Sequence, residues 1–560
     1  MVSPPDSPTR PALSNTTNIH EEECLFSFFT HPSTGKRAPG GGIDDRDKKR
    51  VKLSDTEARP EEHTCSDSDS DVDMDDDRAL RARIRKHTVF GMRDAAMLTT
   101  RSTVLRHTTL STRPILQSFV SSDKADVYRC HSMDESSYNT IPYACAYSNA
   151  AKSGSTPLLA IATEKGTIHV VNTSTRRDWD CEPPRTILDP HANGIFDVKW
   201  SPSDALLATA SGDHSVRIST LAPSVSSEDQ VLHVLHGHAG TVKCVAWDPA
   251  YDGDVLCTGG RDGGICVWDL RVGERCTSTR RRTRSGAGEE AAEDGGLKPV
   301  MSIPGAHEDG KPSKARGRKS KVTPAAAMRS ITSLVYLEGN PHTLISSGSY
   351  DGVLRQWDLR LPTSSKKAPK TKATPKPILT SADPTTLQGT RRARGITTLV
   401  PGTGPSAGHL FALGTDSRVH TFALPSLQPL SGYVHSEPDG VCADPFAYTH
   451  PRMQTNSFYV RAALSPCGQW LASGGTADGL VFLFDVRKSF VGRARGRSTE
   501  AVLLRGQTGE VGALDWAQGT LATCADDATV RVWRPNASVR RRCVQDSEEM
   551  LWQWCWAMDE

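Results

Sequence analysis

The stretch that decides the fold runs from His236 to Arg271 and reads HGHAGTVKCVAWDPAYDGDVLCTGGRDGGICVWDLR. Val242–Trp247 and Val255–Thr258 are rich in β-branched and apolar residues and are bounded by turn residues, as short strands are. Gly259-Gly-Arg-Asp262-Gly263 between Thr258 and Ile265 is a tight turn, and Ile265–Trp268 is a third strand. A buried indole N–H needs an acceptor. A polar chain that satisfies it stiffens the unit, whereas a half-satisfied chain costs stability.

The unit recurs. Trp268-Asp269-Leu270-Arg271 returns as Trp357-Asp358-Leu359-Arg360. A threonine or serine, an aspartate four residues on and a tryptophan six further on are matched by Thr258/Asp262/Trp268, Ser347/Asp351/Trp357 and Thr523/Asp527/Trp533. Thr209 and Asp213 keep the first two positions, with Ser219 in place of the tryptophan; Asp416 leads to Phe422 and Asp478 to Phe484. With a strand pair around residues 143–172, the count of units is seven. The turn aspartates 213, 262, 351, 416, 478 and 527 stand 49, 89, 65, 62 and 49 residues apart. A repeat of this type needs about 40–45 residues, so the excess must leave as loops. Residues 272–327 carry Arg280-Arg-Arg282 and Lys311–Lys321, and residues 361–394 carry Lys366, Lys367, Lys370, Lys372 and Lys376. Both read as basic, mobile insertions.

These units resemble the WD-repeat family, whose blades form β-propellers. The resemblance implies an all-β, seven-bladed WD-repeat β-propeller with a long disordered N-terminal tail and basic inter-blade insertions. It also implies that Thr258, Asp262 and Trp268 are linked by hydrogen bonds to His238. The expected organisation is a tail over 1–125, the propeller over 126–537, and a Trp-rich segment over 538–560 with Trp552, Trp554 and Trp556 at strand spacing, covered by the propeller or paired with an edge.

A finer resemblance rests on HANGIFDVKW (191–200), CTGGRDGGICVWDLR (257–271), Gly305-Ala306-His307 ahead of a Lys-rich insertion, and SFYVRAALSP (457–466). Together, over roughly residues 115–537, they look like the denticleless-type substrate receptors of cullin-4 RING ubiquitin ligases. In that family, blade ends of the form Trp-Asp-x-Arg dock on the ligase adaptor. The resemblance therefore implies an adaptor-binding set of Asp262, Trp268, Asp269 and Arg271, with a second copy at Trp357, Asp358 and Arg360. Phe484-Asp485-Val486-Arg487 is a weaker third, because phenylalanine replaces tryptophan. A guanidinium offers a planar fork of donors suited to an interface; the alternative is that it pairs only with a neighbouring blade. The implied function is substrate recognition, presenting chromatin- or clamp-associated proteins for ubiquitination in replication, cell-cycle or DNA-damage control. The competing reading is a chromatin or histone-binding scaffold with no ligase role. A weaker one, drawn from the basic loops, is an RNA-processing propeller.

The tail carries three further signals. Glu22-Glu-Cys-Leu25-Phe-Ser-Phe28-Phe29 resembles the box that binds the replication sliding clamp, with Leu25, Phe28 and Phe29 in place and Glu22 where glutamine is usual. On one helical turn those apolar side chains share a face. Its N-terminal place departs from the family members that carry the box near the C-terminus. Lys48, Lys49, Arg50 and Lys52 within residues 47–53 resemble a nuclear import signal, and a nuclear location is expected. Residues 66–77, SDSDSDVDMDDD, form a self-repelling acidic spacer.

The chain has 560 residues and a net charge of +2, with 37% hydrophobic and 6% aromatic residues. It has no apolar run of membrane-spanning length, and MVSPPDSPTR at its start lacks the apolar core of a secretory signal. Fourteen scattered cysteines form no Cys-x-x-Cys pair, so neither a zinc site nor a disulfide framework is expected. Nucleophile elbow, phosphate-binding glycine loop and His-Glu-x-x-His are all missing, so catalysis and cofactors are not expected. The basic loops allow non-specific contact with DNA phosphates, and they lack the interleaved aromatics that base stacking needs.

Overall fold

A computed structural model describes residues 112–558, apart from 134–136, 223–229, 273–295, 309–328, 338, 361–374, 387–391, 432–443, 445 and 488–500. The clamp-box-like segment, the import-type run, the acidic run and most of both basic insertions lie outside the described residues.

Five discrete antiparallel sheets form blades, each wound from the inside outward. Blade 1 consists of Pro142–Tyr147, Leu158–Thr163, Ile168–Asn172 and Thr186–Leu188. Blade 2 consists of Ile195–Trp200, Leu206–Ser211, Ser215–Thr220 and Val231–His236. Blade 3 consists of Val242–Trp247, Val255–Gly260, Ile265–Asp269 and Met301–Ile303. Blade 4 consists of Ile331–Tyr336, Thr343–Gly348, Arg355–Asp358 and Leu379–Thr380. Blade 5 consists of Ile396–Pro401, His409–Gly414, Arg418–Ala423 and Gln428–Pro429, with Ala447–Tyr448 also paired to its third strand.

The expectation of seven blades is corrected. Five blades stand as separate sheets, and the rest of the β-structure is one eleven-stranded sheet. The reason lies in the two ends of the described chain. Phe119–Ser122 pairs with Thr529–Pro535 on one side and with Trp554–Met558 on the other. Trp554–Met558 also pairs with Val502–Arg505. That Trp-rich strand therefore splices together two groups that the repeat count treats as separate: Ala462–Leu464 to Val502–Arg505, and Val511–Ala517 to Thr529–Pro535. It also brings Phe119–Ser122, N-terminal to the expected boundary at 126, into the sheet. Trp554 and Trp556 are half-buried against Val120, Val539 and Cys543, while Trp552, in the turn before the strand, is 85% exposed.

The innermost strands close a ring. Pro142–Tyr147 touches Ile195–Trp200, and contacts continue through Val242–Trp247, Ile331–Tyr336, Ile396–Pro401, Ala462–Leu464 and Val511–Ala517, which returns to Pro142–Tyr147. Buried tryptophans and half-buried carboxylates staple neighbours across it. Trp200 Nε1 donates to the Ala146 carbonyl at 2.9 Å, Trp247 Nε1 to Lys199 at 3.1 Å, and Trp516 Nε1 to Ala463 at 3.2 Å. Asp197 accepts from the Val245 N–H at 3.0 Å, and Asp515 from the Tyr147 N–H at 2.8 Å. Bonds of this kind satisfy indole and backbone groups that would otherwise be buried without partners.

Candidate partner-binding edge and channel mouth

In blade 3 the expected polar chain is complete. Trp268 Nε1 donates to Thr258 Oγ1 at 2.9 Å, and Thr258 Oγ1 lies 2.8 Å from His238 Nε2. His238 Nδ1 stands 3.1 Å from Asp262 Oδ2. Gly263 follows at φ 73°, and a Cβ there would come within 2.9 Å of the Arg329 carbonyl, so the turn requires glycine. Burial opposes a charge on His238, but the bond to Asp262 and the neighbouring Cys266 outweigh it and raise the imidazole to about 9.

The chain in blade 4 corrects the sequence reading by one residue. Trp357 Nε1 donates to Ser346 Oγ at 2.9 Å, and His307 Nε2 meets the same oxygen at 2.9 Å. Ser347 instead faces Thr332, 3.0 Å away. Strand pairing explains the shift. Leu344 opposes Trp357 as Leu256 opposes Trp268, so the bonding residue is two positions on in each blade, and the turn in blade 4 is one residue longer. Counting back four from Asp351 lands on the opposite face of the strand. The longer turn also loosens the chain. His307 Nδ1 is 3.9 Å from Asp351, beyond hydrogen-bond reach, and burial lowers the pKa of His307. In the eleven-stranded sheet, Trp533 Nε1 donates to Thr523 at 3.1 Å, and Gln507 takes the place of histidine, accepting from Thr523 at 2.6 Å.

Both tryptophans of the Trp-Asp-Leu-Arg copies are buried, as is Leu359, while both aspartates, both arginines and, in part, Leu270 reach the surface. Arg271 turns back on Asp269, Nε to Oδ1 at 3.0 Å and Nη2 to Oδ2 at 2.9 Å, and its backbone N–H also donates to Oδ1 at 3.0 Å. Arg360 repeats this on Asp358, with Nε 2.8 Å from Oδ1 and a backbone bond at 3.0 Å. These bonds lower both carboxylates, Asp358 to about 2. The fork fixes each guanidinium at the lip of its blade. Arg271 also lies 5.4 Å from the Tyr251 ring and 3.7 Å from Asp254; Tyr251 in turn lies 5.9 Å from His342 of blade 4. The weaker third copy is built differently. Asp485 is buried and accepts from the Thr112 N–H at 3.2 Å and the Thr112 hydroxyl at 2.7 Å, and from the Arg487 backbone at 3.2 Å.

A second cluster escaped the sequence reading. The register slips at the second residue of the innermost strand in every discrete blade: Tyr143, Phe196, Lys243, Thr332 and Thr397. Such bulges re-aim a side chain. Tyr143 stacks on Phe196 at 5.8 Å, and Phe458 and Tyr459 join them at 6.4 and 6.0 Å from Phe196. The Lys243 ammonium lies 3.5 Å from the Phe196 centroid and 4.3 Å from that of Phe458. Burial and the nearby Arg461 and Arg261 lower the Lys243 ammonium to about 7. A bulky residue stands second in the innermost strand of the first three blades only, and Phe458 and Tyr459 precede the strand Ala462–Leu464, so the signal is spread over more than 300 residues.

Comparison with known proteins supports the repeat reading. The family model described as "WD domain, G-beta repeat" matches residues 182–218, 229–269, 452–485 and 499–534. Denticleless protein homolog A of Xenopus laevis is 28% identical over 440 residues, covering 75% of this chain and 52% of that protein. The Homo sapiens denticleless protein homolog is 26% identical over 437 residues, covering 74% and 50%. Protein lethal(2)denticleless of Drosophila melanogaster is 29% identical over 386 residues, covering 67% and 42%. The chain is a denticleless-like WD-repeat protein. This denticleless-like chain spans about half the length of the curated relatives it matches.

Proposed function

We propose that this denticleless-like protein is a substrate-recognition subunit of a cullin-4 RING ubiquitin ligase, non-catalytic itself and acting in the nucleus. The observation that carries the reading is the pair of exposed Asp–Arg forks, Asp269–Arg271 and Asp358–Arg360, at the ends of adjacent blades. The resemblance implies that such ends hold the adaptor. Each arginine is already set in one geometry by its own aspartate, so docking orders little more of the side chain. Substrate lysines would then be ubiquitinated by proximity, because the receptor raises effective concentration and makes no bonds.

Glu22, Leu25, Phe28 and Phe29 would tether the receptor to the sliding clamp, Lys48, Lys49, Arg50 and Lys52 would direct nuclear import, and degron-bearing proteins would be the substrates. Purification of the tagged full chain from cells, followed by mass spectrometry, tests the assembly. Adaptor and cullin peptides that disappear with the Arg271→Ala, Arg360→Ala pair are expected. Histone-modifier subunits that persist in that variant, with no cullin, would point to the scaffold reading and overturn this one.

A further inference from the structure

The aromatic cluster near the starts of the innermost strands holds charge that the described residues do not neutralise. Lys243 has no carboxylate partner among them; the charged groups that influence it are Arg461 and Arg261, both cations. Among the described residues the Arg461 guanidinium donates only to backbone carbonyls, to Thr397 at 3.4 Å and to Phe196 at 3.3 Å, and it lies 5.6 Å from the Phe458 ring. Like charges gathered on partly buried aromatic rings are costly, and an incoming anion removes that cost. The other end of the ring cluster has the opposite sign. Ser457 Oγ donates to Glu510 at 2.6 Å, and burial together with Asp526 raises the pKa of Glu510.

The segment Ser457-Phe458-Tyr459-Val460-Arg461 thus runs from the acidic end to the cationic end. It crosses the aromatic platform in four residue steps, at most about 14 Å of chain. Tyr143 and Tyr459 complete that platform with ring centroids 5.1 Å apart. All of these side chains except Val460 are partly exposed.

We propose that the mouth of the ring is a peptide-binding site in which Lys243 and Arg461 accept an acidic side chain of the partner while an adjacent aromatic or aliphatic side chain packs on Tyr143, Phe196, Phe458 and Tyr459. Glu510 and Asp526 repel an anion at the far end and so fix the direction in which the peptide lies. Charge-assisted bonds supply the specificity and ring burial supplies the area. The site does not depend on Arg271 or Arg360, so its failure and the failure of the ligase reading are separate results.

The test is to pan a random phage-displayed peptide library against the full chain and against the Lys243→Gln, Arg461→Gln variant. Enriched peptides should carry aspartate or glutamate beside an aromatic or aliphatic residue. Synthetic versions should bind the wild-type chain about tenfold or more tightly than their Gln or Asn counterparts, and the variant should lose the same factor. Because the peptide substitution is read on the wild-type chain, the result stands whether or not the variant folds. Enriched peptides without acidic residues, equal binding of acidic and amide peptides, or equal competition by single-stranded DNA would overturn the proposal.

Discussion

Blades 3 and 4 end in the same four residues, yet the two ends are supported differently. In blade 3, His238 bridges Thr258 and Asp262 with both ring nitrogens, and Arg271 gains Tyr251 and Asp254 beside its fork. In blade 4 the turn is one residue longer, the His307 ring keeps only the Ser346 bond among the described residues, and the Arg360 side chain is 74% exposed against 50% for Arg271. Identical surface motifs can therefore rest on unequal interiors. The tetrapeptide reports what is presented to a partner, and the turn length behind it reports how firmly it is held.

The largest expected contrast is in binding. Arg271→Ala and Arg360→Ala should each weaken adaptor affinity by roughly thirtyfold, about 2 kcal/mol, the scale of an arginine hot spot. Surface-plasmon measurements on the two single variants would show whether the copies are equivalent; a variant that binds as wild type removes its blade from the interface.

Stability comes next. Thr258→Val leaves both the Trp268 indole and His238 without their shared oxygen, and should cost about 2–3 kcal/mol in chemical denaturation. Ser346→Ala should cost about 1–2 kcal/mol, because one link of its chain is already open. Ser347→Ala should cost less than about 1 kcal/mol, since it removes only the hydroxyl pair with Thr332. If Ser347→Ala proved more damaging than Ser346→Ala, the register described for blade 4 would be wrong.

The two histidines should also respond to pH in opposite senses. His238 titrates near 9 in the fold against an ordinary 6.5. Its stabilising contribution is complete below about 6.5 and is lost as pH rises through about 9. His307 is lowered, so its blade loses stability as pH falls through and below 6.5. Hydrogen exchange along Ile265–Asp269 and Arg355–Asp358, followed from pH 5.5 to 9.5 with correction for intrinsic rates, should show protection falling at opposite ends of the range. Parallel profiles would sink the distinction.

Residues close in sequence were readable. Thr258, Asp262 and Trp268 lie within eleven residues, and the resemblance to the WD-repeat family implied the hydrogen bonds they make. The serine of blade 4 was misplaced because a one-residue insertion in a turn is invisible when spacing is counted from the aspartate alone. The sheet count failed at Trp554–Met558, whose pairing with both Phe119–Ser122 and Val502–Arg505 joins segments from opposite ends of the domain. No local pattern encodes that closure. The same holds for the channel mouth, where Tyr143 and Tyr459 stand 5.1 Å apart in space and 316 residues apart in sequence.

The most direct test of the paired forks is isothermal titration of purified adaptor into the intact chain and into the Arg271→Ala, Arg360→Ala double variant, with thermal unfolding of both recorded alongside. The account predicts saturable binding by the intact chain, and no measurable heat from a double variant that unfolds at the same temperature. Undiminished binding by a correctly folded double variant would contradict it.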